Sequence, residues 1–155
     1  MTHSVDELMR LALDVASHGS SIDIPVGAII IDASGSVITS SINAVIQKGD
    51  ATAHAELLVI RSLDLGQLKR QAQSMTLAVT LEPCPMCAWA IRSAGIGKLV
   101  FGASNPQYGA AGSVYDLLRD RSHGRIVEVV GGVLESECQQ LLGDAFSYIR
   151  NNGSR

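Results

Sequence analysis

Thr52-Ala53-His54-Ala55-Glu56 and Glu82-Pro83-Cys84-Pro85-Met86-Cys87 are the two stretches around which the chain is organised. Between them they carry one imidazole, two paired thiols and a carboxylate beside the imidazole. Cys84 and Cys87 are three residues apart, so a helix sets them one turn apart on one face. Pro83 and Pro85 suit a helix start, where the first N–H groups have no intrahelical partner. Ala88 to Ala94 continue as helix and Gly95 stops it. The thiols thus emerge at the positive end of a helix dipole, which favours thiolates. His54 opens a second apolar helix, expected over Ala53 to about Leu65 with Gly66 as its stop.

Zinc takes nitrogen and sulfur donors in a tetrahedron, and a catalytic site supplies three of them and leaves one position for water. His54, Cys84 and Cys87 make three, for one zinc per subunit. Zinc lowers the pKa of water in the open position towards neutrality. Glu56 is placed to take that water's proton and to pass protons to a ring nitrogen and to departing ammonia. Hydrolytic deamination needs both functions. A Cys-x-x-Cys alone also serves as a redox pair or as half of a zinc finger. The matched His-x-Glu upstream and the lack of a second cysteine pair weigh against both. A closed structural site would need Cys138 or His123 as fourth ligand, and Cys138 reads as a small buried hydrophobe of the last helix.

The totals narrow the class. A length of 155 residues suits one domain, and 46% hydrophobic with 17% charged residues describes a core-rich chain. Three cysteines, two of them committed to metal, leave no disulfide framework and point to a reducing, cytoplasmic location. Met1 to Arg10 carries Asp6 and Glu7 and lacks a signal-peptide core. No apolar run reaches membrane-spanning length. A net charge of −3 gives no overall basic footprint, so a polynucleotide would be held by local patches.

Ser4-Val5-Asp6-Glu7 reads as a capping box opening a first helix, which His18 to Ser21 ends. Val26 to Ile31 reads as a buried strand and Asp32 to Gly35 as a turn, with Val37 to Ile42 returning as a hairpin. Asn43 follows, either forming a turn or presenting its amide to a base edge. A loop through Lys48-Gly49-Asp50 leads to His54. Gln67 to Ser74, with Lys69 and Arg70, is expected as exposed loop. Met75 to Leu81 and Lys98 to Ala103 are the third and fourth strands. Ser104 to Gly112, with Tyr108, connects to an expected short helix at Val114 to Asp120 and a fifth strand at Ile126 to Val130. Leu134, Cys138, Leu141, Leu142, Ala145 and Ile149 share a face of a closing helix. Residues 1–150 form the expected domain and 151–155 a frayed tail. The order implies a single three-layer α/β/α domain with a five-strand mixed sheet and parallel crossovers.

The chain resembles the bacterial tRNA-specific adenosine deaminases of the zinc-dependent cytidine deaminase superfamily. Superfamily resemblance rests on His54, Glu56, Cys84 and Cys87, in the pattern His-x-Glu followed by Pro-Cys-x-x-Cys. The narrower likeness rests on Ile24-Pro25-Val26-Gly27-Ala28, Val79-Thr80-Leu81-Glu82-Pro83-Cys84, Leu99-Val100-Phe101-Gly102-Ala103 and Gly109-Ala110-Ala111-Gly112-Ser113. The resemblance implies a cytidine-deaminase-like fold and conversion of the wobble adenosine of a tRNA anticodon stem-loop to inosine. It also implies a homodimer, with Asn43 and the Ala55 backbone N–H contacting the target base. The same resemblance implies that flanking nucleotides splay over the surface, with Lys69, Arg70 and the last helix near Phe146 and Arg150 as further contacts.

Several positions depart from that pattern. Asn105 stands where the family commonly has Asp in a substrate-facing loop, which drops the charge and keeps the hydrogen bonding. Ala51 replaces a Pro, Ala78 an aromatic and Trp89 a small residue. The tail lacks a dense run of Lys and Arg. Two other readings use the same motifs. A deaminase of a free nucleobase or nucleoside, such as guanine or cytosine, would use the same four residues and suits the acidic balance. A non-catalytic zinc-stabilised domain would have no use for Glu56.

Overall fold

The structure is a computed structural model that describes residues 2–152, without the side chains of Ile149 and Asn152. Helix α1 (Val5–Ser17) opens with the expected capping box, in which Ser4 Oγ accepts from Glu7 N–H and Glu7 accepts from Ser4 N–H. A hairpin of β1 (Gly27–Ile31) and β2 (Val37–Ile42) follows. Strand β1 also pairs antiparallel with β3 (Thr76–Leu81). From β3 the sheet runs parallel through β4 (Lys98–Ala103) to β5 (Glu128–Val130). The five-strand mixed sheet has the order β2-β1-β3-β4-β5.

Close packing fixes one layer. Gly27, Thr80 and Gly102 share a face of the sheet, because Gly27 adjoins Thr80 and β3 runs in parallel register with β4. A Cβ on Gly27 would collide with the α1 backbone, 2.6 Å from Ala16 N. A Cβ on Gly102 would strike the Cys138 side chain of the last helix, Glu135–Asn152. These two helices therefore cover one face at backbone distance. The helix Ala55–Arg61 lies on the other, where its C-cap Ser62 Oγ bonds Thr39 Oγ1 on β2 at 2.8 Å. It packs there against the helix Pro85–Ala94. Leu77, Val79, Leu99 and Val100, all fully buried, fill the space between the layers and exclude water from the sheet.

Numbered in chain order, the helices after α1 are α2 (Val45–Lys48), α3 (Ala55–Arg61), α4 (Leu65–Gln71), α5 (Pro85–Ala94) and α6 (Glu135–Asn152). Four local expectations are corrected. The His54 helix does not run to Leu65 and stop at Gly66. Arg61 ends it, and Asp64 Oδ1 accepts from Gln67 N–H at 2.8 Å to cap α4, so Gly66 is helical and Gln67 to Gln71 are no loop. Short α2 occupies part of the expected loop before His54. No helix forms at Val114 to Asp120. That segment holds turns and Asp116, which bridges to Ala111, and a 3-10 helix follows it at Arg121–His123. Its N–H groups at Val114 and Tyr115 both go to Gly109 O and that at Leu117 goes to Ala110 O, which is no helical ladder, and its carbonyls at Leu117 and Asp120 accept from Arg92 of α5 at 2.5 Å each. Asn151 and Asn152 continue α6, and residues 153–155 of the expected tail lie outside the described residues. Among the described residues, no helix is long and apolar enough to cross a membrane.

Candidate active site

Two helix N-termini converge at the carboxyl end of β3. His54 is the N-cap of α3 and Cys84 the N-cap of α5, with Pro85 at its first turn as the sequence indicates. His54 Nδ1 lies 3.7 Å from Cys84 Sγ and 3.5 Å from Cys87 Sγ. A zinc tetrahedron with Zn–S of about 2.3 Å and Zn–N of about 2.0 Å has N···S edges of about 3.5 Å. The three donor atoms lie within 4.8 Å of one another and form the metal-ligand group found among the described residues. Their chemistry and spacing fit one zinc ion, and His54 and Cys84 also line the adjoining cavity. Neither alternative fourth ligand joins them. His123 packs edge-on against Trp89 at 5.3 Å, and Cys138 is buried against β4.

Protons are held unequally among the donors. The Cys87 thiol's hydrogen bond holds the Cys84 pKa down to about 4, with His54 acting in the same direction. That same bond, together with burial and the nearby Glu56 carboxylate, pushes Cys87 up. His54 is pushed up by its bond to Cys84, against the opposing effect of burial. Glu56, in the first turn of α3 and only 5% exposed, is pushed up to about 7 by burial. It sits beside Cys87 as a carboxyl able to hold or release a proton near neutral pH.

A cavity of about 550 Å³ opens above these groups. His54, Ala55, Glu56 and Cys84 form part of its lining, together with Asn43, Glu82, Asn105 and Tyr108. Asn43 Nδ2 donates to Ile24 O at 3.2 Å, which fixes the amide and turns Oδ1 into the acceptor left for a ligand. Asn105 also reaches the cavity, but its Oδ1 accepts from the backbone N–H groups of Gln107 and Tyr108 at 3.2 and 3.1 Å. Its side chain closes a turn and has Nδ2 to offer. Lys69 and Arg70 lie in the last turn of α4, and Phe146 and Arg150 on α6, and none of the four lines the cavity.

Three buried charged residues escaped the sequence reading. Asp23 accepts from Ile46 and Gln47 N–H at 2.7 and 3.0 Å and so caps α2 from a distant segment. Glu82 accepts from Asn105, Ala111 and Ser113 N–H and from the Ser113 hydroxyl. Arg92 donates to the carbonyls of Leu117, Asp120 and Gly124. Arg92 had a visible signal, since it lies four residues after Ala88 on the buried side of α5. Glu82 had one too, as the lone charge between a buried strand and a helix cap.

Residues 2–103 match the model of the cytidine and deoxycytidylate deaminase zinc-binding region. The tRNA-specific adenosine deaminase of Haemophilus influenzae is 39% identical over 142 residues, which is 91% of this chain and 82% of that protein. A tRNA(Ile)-lysidine synthase of Deinococcus radiodurans is 41% identical over 97% of this chain, which spans only 25% of that longer relative. A solved structure from a study of A-to-I editing by tRNA:A34 deaminases at the wobble position of transfer RNA superposes with a TM-score of 0.78. It is 38% identical, over 87% of this chain and 98% of that one. Sequence, fold and donor set agree, and the chain belongs to the zinc-dependent cytidine and deoxycytidylate deaminase family, in its tRNA-specific adenosine deaminase branch.

Proposed function

We propose that this chain hydrolyses the exocyclic amine of the wobble adenosine in a tRNA anticodon stem-loop, giving inosine and ammonia. The observation that carries the chemistry is the buried Glu56 carboxyl beside the His54–Cys84–Cys87 group, at the floor of a cavity that accommodates a nucleobase. The choice of substrate is supported by the likeness to the tRNA-specific adenosine deaminases.

His54, Cys84 and Cys87 would hold the metal. Zinc, when bound, supplies a Lewis acid that makes water a nucleophile near neutral pH. Glu56 would take one proton from the attacking water and deliver it to the purine N1, then take the proton of the new C6 hydroxyl and deliver it to the leaving amine, so that both water protons are used as the C6–N bond breaks and ammonia departs. Its raised pKa suits a group that must act first as base and then as acid. Asn43 Oδ1 and the Ala55 N–H, the latter among the unpaired donors of the first turn of α3, orient the base edge. Asn105 Nδ2 contacts the sugar or base at the mouth. The target nucleotide enters flipped out of the loop stack, since the donors lie at the cavity floor.

A homodimer is part of the same reading. Met86 and Trp89 lie three residues apart on α5 and are exposed, as are Val114, Tyr115 and Ile126 of the segment that Arg92 ties to that helix. An apolar surface of this kind suits burial against a second copy. A cytoplasmic location follows from a tRNA substrate and from ligands that need reduced thiols.

The test is an inosine assay on an anticodon stem-loop with adenosine at the wobble position, run beside free guanine, cytosine, adenosine and cytidine. Inosine in the stem-loop with the free compounds untouched is expected. Ammonia from a free compound and none from the RNA would transfer the function to small-molecule deamination.

A further inference from the structure

Glu82 is 1% exposed, and the four hydrogen bonds it accepts all come from the segment Asn105–Ser113. Oε1 takes the Asn105 N–H at 3.1 Å and the Ser113 hydroxyl, while Oε2 takes the N–H groups of Ala111 at 3.0 Å and Ser113 at 3.1 Å. The next residue adds a fifth tie, with Pro83 O accepting from Ala110 N–H at 2.8 Å. Regular secondary structure contributes little here, since Ser104–Ala110 is turn and coil. The segment carries Asn105 and Tyr108 to the cavity mouth, and both anchors sit immediately before Cys84. Gly109 shows how close the contact is. A Cβ there would stand 2.5 Å from both the Glu82 carboxyl and Asn105 O.

We propose that Glu82 is a positioning residue, whose carboxylate locks the Asn105–Ser113 loop to the cysteine segment and thereby sets how the cavity mouth engages substrate. The substrate named in the test rests on the function proposed above. The lock is a matter of acceptor count. Glutamine at this position has one oxygen and one NH2, so it cannot accept on both sides. The NH2 settles on the Oε1 side, because the Ser113 hydroxyl can turn to accept from it whereas the Oε2 side faces two backbone N–H groups. The Asn105 N–H then faces another donor, and the loop is released at its Asn105 end.

Glu82→Gln and Gly109→Ala are compared with the parent as zinc-loaded protein, by amide hydrogen exchange without substrate and by steady-state kinetics on the stem-loop. In Glu82→Gln the Asn105 amide exchanges at least about ten-fold faster, while Ala111 changes less. In both variants zinc content is unchanged, KM rises about ten-fold and kcat stays within about two-fold. Unchanged exchange at Asn105, or a fall in kcat at constant KM, would overturn the proposal. The exchange measurement needs no substrate, so it judges the hold of Glu82 on the loop even if the parent fails to edit the stem-loop and the functional reading falls.

Discussion

His54 Nδ1 and Cys87 Sγ stand 3.5 Å apart although the two residues open different helices, separated in the chain by a strand and a helix. That spacing is the edge of a metal tetrahedron, and an imidazolium or a thiol cannot ligate, so His54 Nδ1 and Cys87 Sγ must each be free of a proton. His54 and Cys87 are both pushed above their ordinary pKa values. Zinc must therefore displace protons, and apparent zinc affinity rises with pH. Competition with a chromophoric chelator at pH 6 and pH 8 is expected to show tighter binding at the higher value, by about ten-fold or more. A flat profile would mean that the donors are already deprotonated.

Glu56 gives a stability signature. Its ordinary pKa of 4.5 rises to about 7 on burial in the folded chain, so the folded state keeps the proton to higher pH than the unfolded state does. This contribution is fully present below pH 4.5 and is lost as the pH climbs through about 7. Urea unfolding of zinc-free protein should show stability declining across that window, by at most about 1.4 kcal/mol per pH unit from this group. Glu56→Gln removes this component of the slope. If the variant and the parent share one pH profile, Glu56 is not held protonated by the fold.

Arg92 links α5 to the segment before β5 through three carbonyl oxygens, and its Nε is buried without a partner. Arg92→Met fills a similar volume and leaves those carbonyls unpaired. We expect a loss of about 2–3 kcal/mol in unfolding free energy, read by denaturant titration. Zinc binding at the distant α5 N-terminus should survive in the folded fraction.

Trp89 tests the dimer. The ring is 45% exposed and rests edge-on against His123. Trp89→Lys puts a charge on the exposed apolar side of α5 that it shares with Met86, at a high cost to burial against a second copy. Sedimentation should find the parent as a dimer and the variant as a monomer at micromolar concentration. A monomeric parent would remove the dimer from the account.

The zinc ligands were legible because their spacing is local chemistry. Cys84 and Cys87 had to share a helix face, and His54 had to open a helix for Glu56 to stand beside it. The strands were legible from their apolar runs, within one or two residues at each end. What failed depended on individual side-chain and backbone contacts that periodicity does not mark. The helix expected at Val114 to Asp120 gave way to a looped segment whose N–H groups at Val114, Tyr115 and Leu117 reach back to Gly109 and Ala110 and whose carbonyls at Leu117 and Asp120 accept from Arg92 of α5. Gly66 looked like a stop, but Asp64 caps a new helix across it. Asn105, expected as a substrate contact, lines the cavity while its Oδ1 accepts from the turn it begins, a local bond that the family likeness does not display. No periodicity marks Glu82, because its partners are the N–H groups of an irregular loop.

The central claim is that Glu56, beside the zinc ligands, directs water onto an adenosine held in RNA. Turnover of the wobble stem-loop in 18O-enriched water, read by mass spectrometry of the isolated nucleoside, tests it most directly. The account predicts inosine carrying one solvent oxygen from the zinc-loaded parent, and a loss of about a hundred-fold or more in rate for zinc-loaded Glu56→Gln. Inosine formed without the label, or formed by Glu56→Gln at the parent rate, would contradict it.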